Sequence, residues 1–423
     1  MPSSRVQPDV AVESQVRSYS RDWPALFTHS RGSYLYDGQD RAYLDFFAGA
    51  GTLNYGHNPP VLKEALLSYL ESDGITHSLD LFTAARTELL STLQQVVLTP
   101  RGLDYRVQFP GPTGTNSVEA ALKVARKATG RSTVVAFTGA FHGMSLGSLA
   151  VTGSAAKRAG AGLQLTGTHR LPYDGFANGS VHGPALLEAM IKSSNSGLDL
   201  PAAVIVETVQ GEGGVNVASP RWLGELADVC RRHGIVLIVD DVQMGCGRTG
   251  PFFSFESAGI VPDVVCLSKA LSGYGLPMAL TLMRPELDVW APGEHNGTFR
   301  GHNLAFVTAA AALRQYWQDS TLEKETLRHG ERVQTRLLET AAAHPGSGAQ
   351  VRGRGLVWGL EFADATVARR ASQEAFARGL LVETSGANSE VVKLLPPLTV
   401  SDAELEEGLA LLHESVAAAL SAS

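Results

Sequence analysis

The sequence predicts an α/β protein, with a large domain built on a mostly parallel sheet and a smaller α+β domain. Three observations carry this reading. Short apolar runs at 134–137, 202–206, 235–239, 264–267 and 279–283 show little polar alternation and are separated by helical patterns. Such runs fit parallel strands covered on both faces, with helices crossing between them. Past Val307 the chain becomes rich in Ala, Leu, Glu and Arg, which marks a change of architecture. Finally, 423 residues that are 44% apolar and 18% charged can fill two or three cores and do not suit a disordered or fibrous chain.

Taken in order, residues 1 to about 25 show no clear period and read as a mobile arm that folds over the body or a partner. Two apolar-rich stretches between Gly32 and Phe46 flank Asp37-Gly38, a β-hairpin signal. Phe109-Pro-Gly-Pro-Thr113-Gly114-Thr115-Asn116 leads into a helix with an apolar face of Val118, Ala121, Leu122 and Ala125. Asn116 and Glu119 are its expected capping pair, and Gly130 ends it. Residues 193–197 read as a surface loop. From Val307 a helical stretch runs to about Ala343; strands at 356–362 and 391–395 then precede a last amphipathic helix from Asp402.

Charge and composition narrow the function. Lys and Arg number 35 against 42 Asp and Glu, a net charge of −7 with no basic stretch, so nucleic acid is a poor partner. No apolar run approaches the roughly 20 residues a membrane helix needs, and the polar first 30 residues lack a signal core. The expectation is a soluble, cytoplasmic protein. Cys230, Cys246 and Cys266 share no metal or disulfide spacing, and the 12 histidines form no paired ligand motif.

Two familiar motifs fail their context. Gly245-Cys-Gly247-Arg-Thr-Gly250 matches the dinucleotide fingerprint G-x-G-x-x-G, but Pro251-Phe-Phe follows where a helix must open. Gly143-Met-Ser145-Leu-Gly147 matches the nucleophile elbow of serine hydrolases, with His302 as a conceivable partner. Ser145 lies eight positions beyond Phe137, however, not at a strand-to-helix turn. A third set is coherent. The run 235–239 ends in Asp240, and the run 264–267 ends in Ser268-Lys269 before a glycine-rich turn. Both residues then stand at the carboxyl edge of a parallel sheet, where ligands of such sheets bind. Upstream, Gly114 and Thr115 at a helix N-terminus form a phosphate cradle. An amine, a carboxylate and a phosphate cradle are what pyridoxal phosphate requires.

At this point the chain resembles a family over nearly its whole length. Asp240-Asp-Val242-Gln243-Met-Gly-Cys-Gly-Arg-Thr-Gly250, Ser268-Lys269-Ala-Leu271, Glu207-Thr-Val-Gln-Gly-Glu212-Gly-Gly214 and Gly297-Thr298-Phe-Arg-Gly301 match the ordered motifs of class III, fold-type I pyridoxal-phosphate aminotransferases. The resemblance implies a large cofactor-binding domain over 56–307. It also implies a small α+β domain built from both chain ends, 1–55 and 308–423. By the same resemblance Lys269 is the Schiff-base lysine and proton carrier, Asp240 pairs with the pyridine nitrogen and Gln243 bonds the ring's 3-oxygen. Val242 packs beneath the ring, Phe141 stacks above it, and Gly114 and Thr115 hold the phosphate with Thr298 of a second subunit in a homodimer.

Within the family, Phe109 to Lys123, Ser272 to Met278 and Pro292 to Gly301 are most similar to the diaminobutyrate aminotransferases, particularly those of ectoine synthesis. That implies L-2,4-diaminobutyrate as amino donor and 2-oxoglutarate as acceptor. Ornithine, 4-aminobutyrate, and diaminobutyrate supply for siderophores or peptides remain the alternatives. One departure stands out. Relatives carry an Arg in the strand before Pro-Pro that clamps a substrate carboxylate and is masked by a Glu; here Glu212 is present but Lys393 replaces the Arg. Lys393 is either a solvated strand residue or a carboxylate clamp without the bidentate fork of Arg.

Overall fold

The five apolar runs all become strands of one sheet in the computed structural model, which describes residues 12–421. In spatial order its seven strands are Arg106–Gln108, Leu280–Met283, Val264–Leu267, Val236–Asp240, Ala203–Val206, Val134–Phe137 and Thr168–Leu171. Every residue of the five expected strands is buried, which explains why no polar alternation marks them. One expectation is corrected: Leu280–Met283 runs antiparallel to both its neighbours. An apolar run buried on both faces reads alike in either direction, so composition could not give its polarity. The edge strands Arg106–Gln108 and Thr168–Leu171 escaped notice because they are short, polar and partly exposed.

Helix Gly114–Thr129 buries Val118, Ala121, Leu122 and Ala125 against Val134, Ala136, Ile205 and Ile238 of the sheet. Its cap differs from the expected Asn116–Glu119 pair. Thr113 is the N-cap, and its N–H and hydroxyl both donate to Asn116 Oδ1, at 3.3 and 2.7 Å. Glu119 instead accepts from the Ser145 hydroxyl and the Ser148 N–H.

Both ends of the chain meet in a second sheet. The expected hairpin forms from Tyr34–Asp37 and Ala42–Asp45, with an unforeseen outer strand, Phe27–Arg31. Ala42–Asp45 then pairs in parallel with Leu380–Leu381. A third, antiparallel sheet orders Gln350–Arg354, Val357–Glu361, Val391–Leu394 and Glu383–Ser385. The expected helical stretch begins at Asn303 and breaks into Asn303–Tyr316 and Thr321–Ala343; Asp402–Ser421 closes the chain as expected. Among the described residues no helix is long and apolar enough to cross a membrane.

Of the expected mobile arm, the fold over the body is found and the mobility is corrected. Its first 11 residues lie outside the described residues, but from Tyr19 the chain is anchored. Trp23 is buried against Tyr43 and Leu381, and the Tyr19 ring stands 4.8 Å from that of Phe47. Short aromatic anchoring of this kind has no period to detect.

The turn segment 241–250 is joined to the C-terminal region by Arg248, which is fully buried. Its guanidinium donates to the carbonyls of Leu356 and Pro396 and to Asn54 Oδ1, at 2.9, 2.6 and 2.6 Å. Burial pulls its pKa down to about 9, against the attraction of Asp45. Replacing Arg248 with Met leaves three buried acceptors without donors. We expect a loss of about 3 kcal/mol, read as a lower urea midpoint at unchanged slope; an unchanged midpoint would remove Arg248 from this role.

Candidate active site

Asp240 is the last residue of its strand and faces Cys266 on the parallel neighbour, whose chain continues to Lys269. Two adjacent strands thus deliver a carboxylate and an amine to one sheet edge. Lys269 has φ +49°, a left-handed conformation that costs a non-glycine residue on the order of 1 kcal/mol. Its Nζ donates to the Ala50 carbonyl at 2.8 Å, which also accepts from Gln243 Nε2 at 3.0 Å. That carbonyl is aimed inward by a left-handed turn, Ala48–Gly51, which sequence reasoning missed. Burial lowers the Lys269 pKa and Lys393 adds to this, while Glu212, Glu383 and Asp240 oppose it.

Three further groups were not foreseen. His142 Nδ1 lies 2.7 Å from Asp240 Oδ2, and the Val242 N–H donates to Asp240 Oδ1 at 3.1 Å. Burial works to lower the His142 pKa, but Asp240 outweighs it and the pKa rises. Glu207 ends the strand beside that of Asp240 and accepts from the Phe141 N–H at 3.0 Å. Burial, with Asp240 and Glu212 adding repulsion, pushes its pKa up to about 8, so it is mainly protonated at neutral pH. Glu383 stands opposite Lys393 on the neighbouring strand. The visible signal for Glu207 was its place after a buried strand; for His142 it was the Phe141-His142-Gly143 motif. Glu383 gave none, since its short strand has no pattern.

These groups stand around a cavity of about 180 Å³ that opens to solvent. Gly114, Thr115, Phe141, Glu212, Asp240, Val242, Gln243 and Lys269 all line it, with His142, Gly143, Glu207 and Met244. Two glycines permit the approach. A Cβ on Gly114 would stand 2.7 Å from Val242 Cγ1, and one on Gly211 would stand 1.8 Å from Gln243 Oε1. Lys393 lies behind Glu212, fully buried, its Nζ 2.7 Å from Glu212 Oε1 and 3.0 Å from Glu383 Oε1. The solvated alternative for Lys393 is therefore wrong. Thr298, like Lys393, does not line the cavity. It is exposed, and its carbonyl accepts from His77 Nε2 at 2.6 Å.

The rejected motifs are accounted for as well. Ser145 caps a short helix and bonds Thr115 and Glu119, while His302 stands before helix Asn303–Tyr316, bridged to His77. No nucleophile–histidine pair is formed there. Residues 245–250 form turns without opening a helix.

Comparison with known proteins agrees with this geometry. The profile of aminotransferase class-III matches residues 16–416. The chain belongs to the class III aminotransferases. It is 59% identical to a diaminobutyrate–2-oxoglutarate transaminase of Streptomyces avermitilis, over 97% of this chain and 98% of that protein. A protein of the same name from Bordetella parapertussis is 56% identical, over 97% and 94%. Among solved structures, an ornithine aminotransferase of Toxoplasma gondii with pyridoxal phosphate partly occupying its active site superposes with a TM-score of 0.84. It is 26% identical, over 98% of this chain and 94% of that one.

This aminotransferase therefore works with pyridoxal 5'-phosphate, and the cavity suits it. The first N–H groups of helix Gly114–Thr129 have no acceptor within the helix and can hold an anion. Asp240 can keep a pyridine nitrogen protonated, and His142 orients the carboxylate from the side. Burial lowers the Lys269 pKa, which favours the neutral amine that condenses with an aldehyde and can carry a proton. Bound there, the cofactor supplies the electron sink through which an amino group and a carbonyl exchange places. We expect Lys269→Ala to abolish transamination; near-normal turnover with cofactor retained would defeat that role. Asp240→Asn should slow turnover about a thousandfold or more, equivalent to about 4 kcal/mol, and a change of only a few-fold would remove Asp240 from the pyridine nitrogen.

Proposed function

We propose that this aminotransferase moves the distal amine of L-2,4-diaminobutyrate to 2-oxoglutarate, giving L-aspartate 4-semialdehyde and L-glutamate. In ectoine synthesis, the pathway we assign it to, the reaction runs in reverse. The observation that carries the reading is the high, nearly full-length identity to proteins named for that reaction. The pocket wall adds a reason of its own. Burial opposes the charge on Glu212, but Lys393 and then Lys269 hold its pKa at about 2, so it stays ionised as the cover over Lys393. A dicarboxylic acceptor displaces that cover and meets the ammonium, while a diamine donor leaves it in place. The test is a donor panel with 2-oxoglutarate. We expect 2,4-diaminobutyrate to exceed ornithine and 4-aminobutyrate in kcat/KM by at least about tenfold, or about 1.4 kcal/mol. A preference for either competitor rejects this donor and leaves the aminotransferase intact.

The working unit in this proposal is a homodimer with shared sites. Thr298 is exposed, and so are the apolar side chains of Phe299, Leu81 and Phe82, the last 96% exposed, in two segments that Arg300 joins through Asp80. A second copy would cover that face and receive Thr298 at its phosphate cradle. Mixing inactive Lys269→Ala subunits with inactive Thr298→Arg subunits should restore activity, because each mixed dimer holds one site free of both lesions. No recovery after verified subunit exchange would assign Thr298 to its own chain.

A further inference from the structure

The wall behind Glu212 holds two carboxylates against one ammonium. Cross-strand pairing sets Glu383 directly opposite Lys393, so their side chains share a face of the sheet. Glu212 then reaches the same Nζ from the cavity side. Glu383 is 4% exposed and Lys393 0%. Glu383 Oε1 stands 3.0 Å from Nζ but outside hydrogen-bond geometry and has no donor, while Oε2 accepts from the Tyr19 hydroxyl at 3.1 Å. Lys393 neutralises one carboxylate and Lys269, the other lysine acting on both, is taken up by the cofactor in the loaded enzyme, so a buried surplus charge remains there, costly unless something arrives to pair it.

We propose that Glu383 is a specificity-determining residue: by neutralising Lys393 from behind, it leaves the charge of Glu212 facing the cavity and so selects donors whose non-reacting end carries an ammonium. This rests on the diaminobutyrate reading and deepens it. The comparison that isolates the effect is between 2,4-diaminobutyrate and 4-aminobutyrate, which share a four-carbon chain and differ only in the α-ammonium. The first brings a cation to the surplus carboxylate. The second brings only a carboxylate, which the cluster repels. The acceptor half-reaction feels the same charge with opposite sign, because 2-oxoglutarate must draw Lys393 away from two glutamates at once. Burial raises the Glu383 pKa, with Lys393 opposing, so an arriving ammonium also favours its ionised form. Lys157, whose Nζ lies 4.1 Å over the Phe141 ring, adds a cation to the site, but it is the same in wild type and in a Glu383 variant and so cancels from the change in the ratio.

The test is Glu383→Gln, which keeps shape and the Tyr19 contact while removing the charge, assayed on the holoenzyme. The ratio of kcat/KM for 2,4-diaminobutyrate to that for 4-aminobutyrate should fall at least about tenfold, and the KM for 2-oxoglutarate should fall about threefold or more. A merely structural role would weaken both donors and the acceptor together. Tyr19→Phe, which withdraws the hydroxyl supporting the ionised carboxylate, should shift the same ratio the same way by less. An unchanged ratio in both variants, or a raised KM for 2-oxoglutarate in Glu383→Gln, overturns the inference. The wild-type ranking of donors judges the diaminobutyrate reading separately, since the ratio change is measured whichever donor ranks first.

Discussion

Asp240 and Lys269 meet in one cavity because the strands that carry them are parallel neighbours in register, Asp240 beside Cys266. Were the second strand antiparallel, its exit would lie at the opposite edge and the amine would be a strand's length away. Parallel pairing demands a crossover, and the crossover demands cover on both faces, hence the uniformly buried strands Val236–Asp240 and Val264–Leu267. The same geometry brings Glu207 to the edge from the next strand over. Three consecutive sheet strands thus supply three reactive side chains, and helix Gly114–Thr129 supplies the anion site opposite them.

Packing so many ionisable groups in a closed space requires that their charges be reconciled. Asp240 is met by His142 Nδ1 on one oxygen and by the Val242 N–H on the other. Glu207 accepts from the Phe141 N–H, and burial pushes its pKa up to about 8. Glu212 resolves the conflict the other way: two lysines hold it ionised. The pKa values of two glutamates of one short motif, Glu207 and Glu212, are thus driven in opposite directions within one cavity, by burial at the first and by two lysines at the second.

How much of this was legible follows from what each element depends on. The central strands and the helix after Thr113 showed because burial on both faces and a helical period leave marks in the residues themselves. Asp240 and Lys269 showed because each directly follows such a strand. The antiparallel direction of Leu280–Met283, the left-handed turn that aims the Ala50 carbonyl, and the pairing of Glu383 with Lys393 depend on contacts between distant segments, for which local composition holds no signal. Lys393 was visible as a departure from its relatives, but whether it was buried turned on a register that only the folded sheet reveals.

The two halves of the site also answer to different constraints. The groups that perform the chemistry hang from the central parallel sheet, whereas Lys393 and Glu383 belong to the antiparallel sheet near the C-terminus. The halves are held in fixed relation by buried bonds rather than by shared strands: Arg248 grips the Leu356 and Pro396 carbonyls, and Arg352 Nε donates to the Gly214 carbonyl at 2.7 Å, two residues beyond Glu212. Charges on the second sheet can therefore be exchanged without moving Asp240 or Lys269 off their strand ends. Lys393 presents a point charge rather than the planar fork of an Arg, and the Glu383 carboxylate faces it from the paired strand.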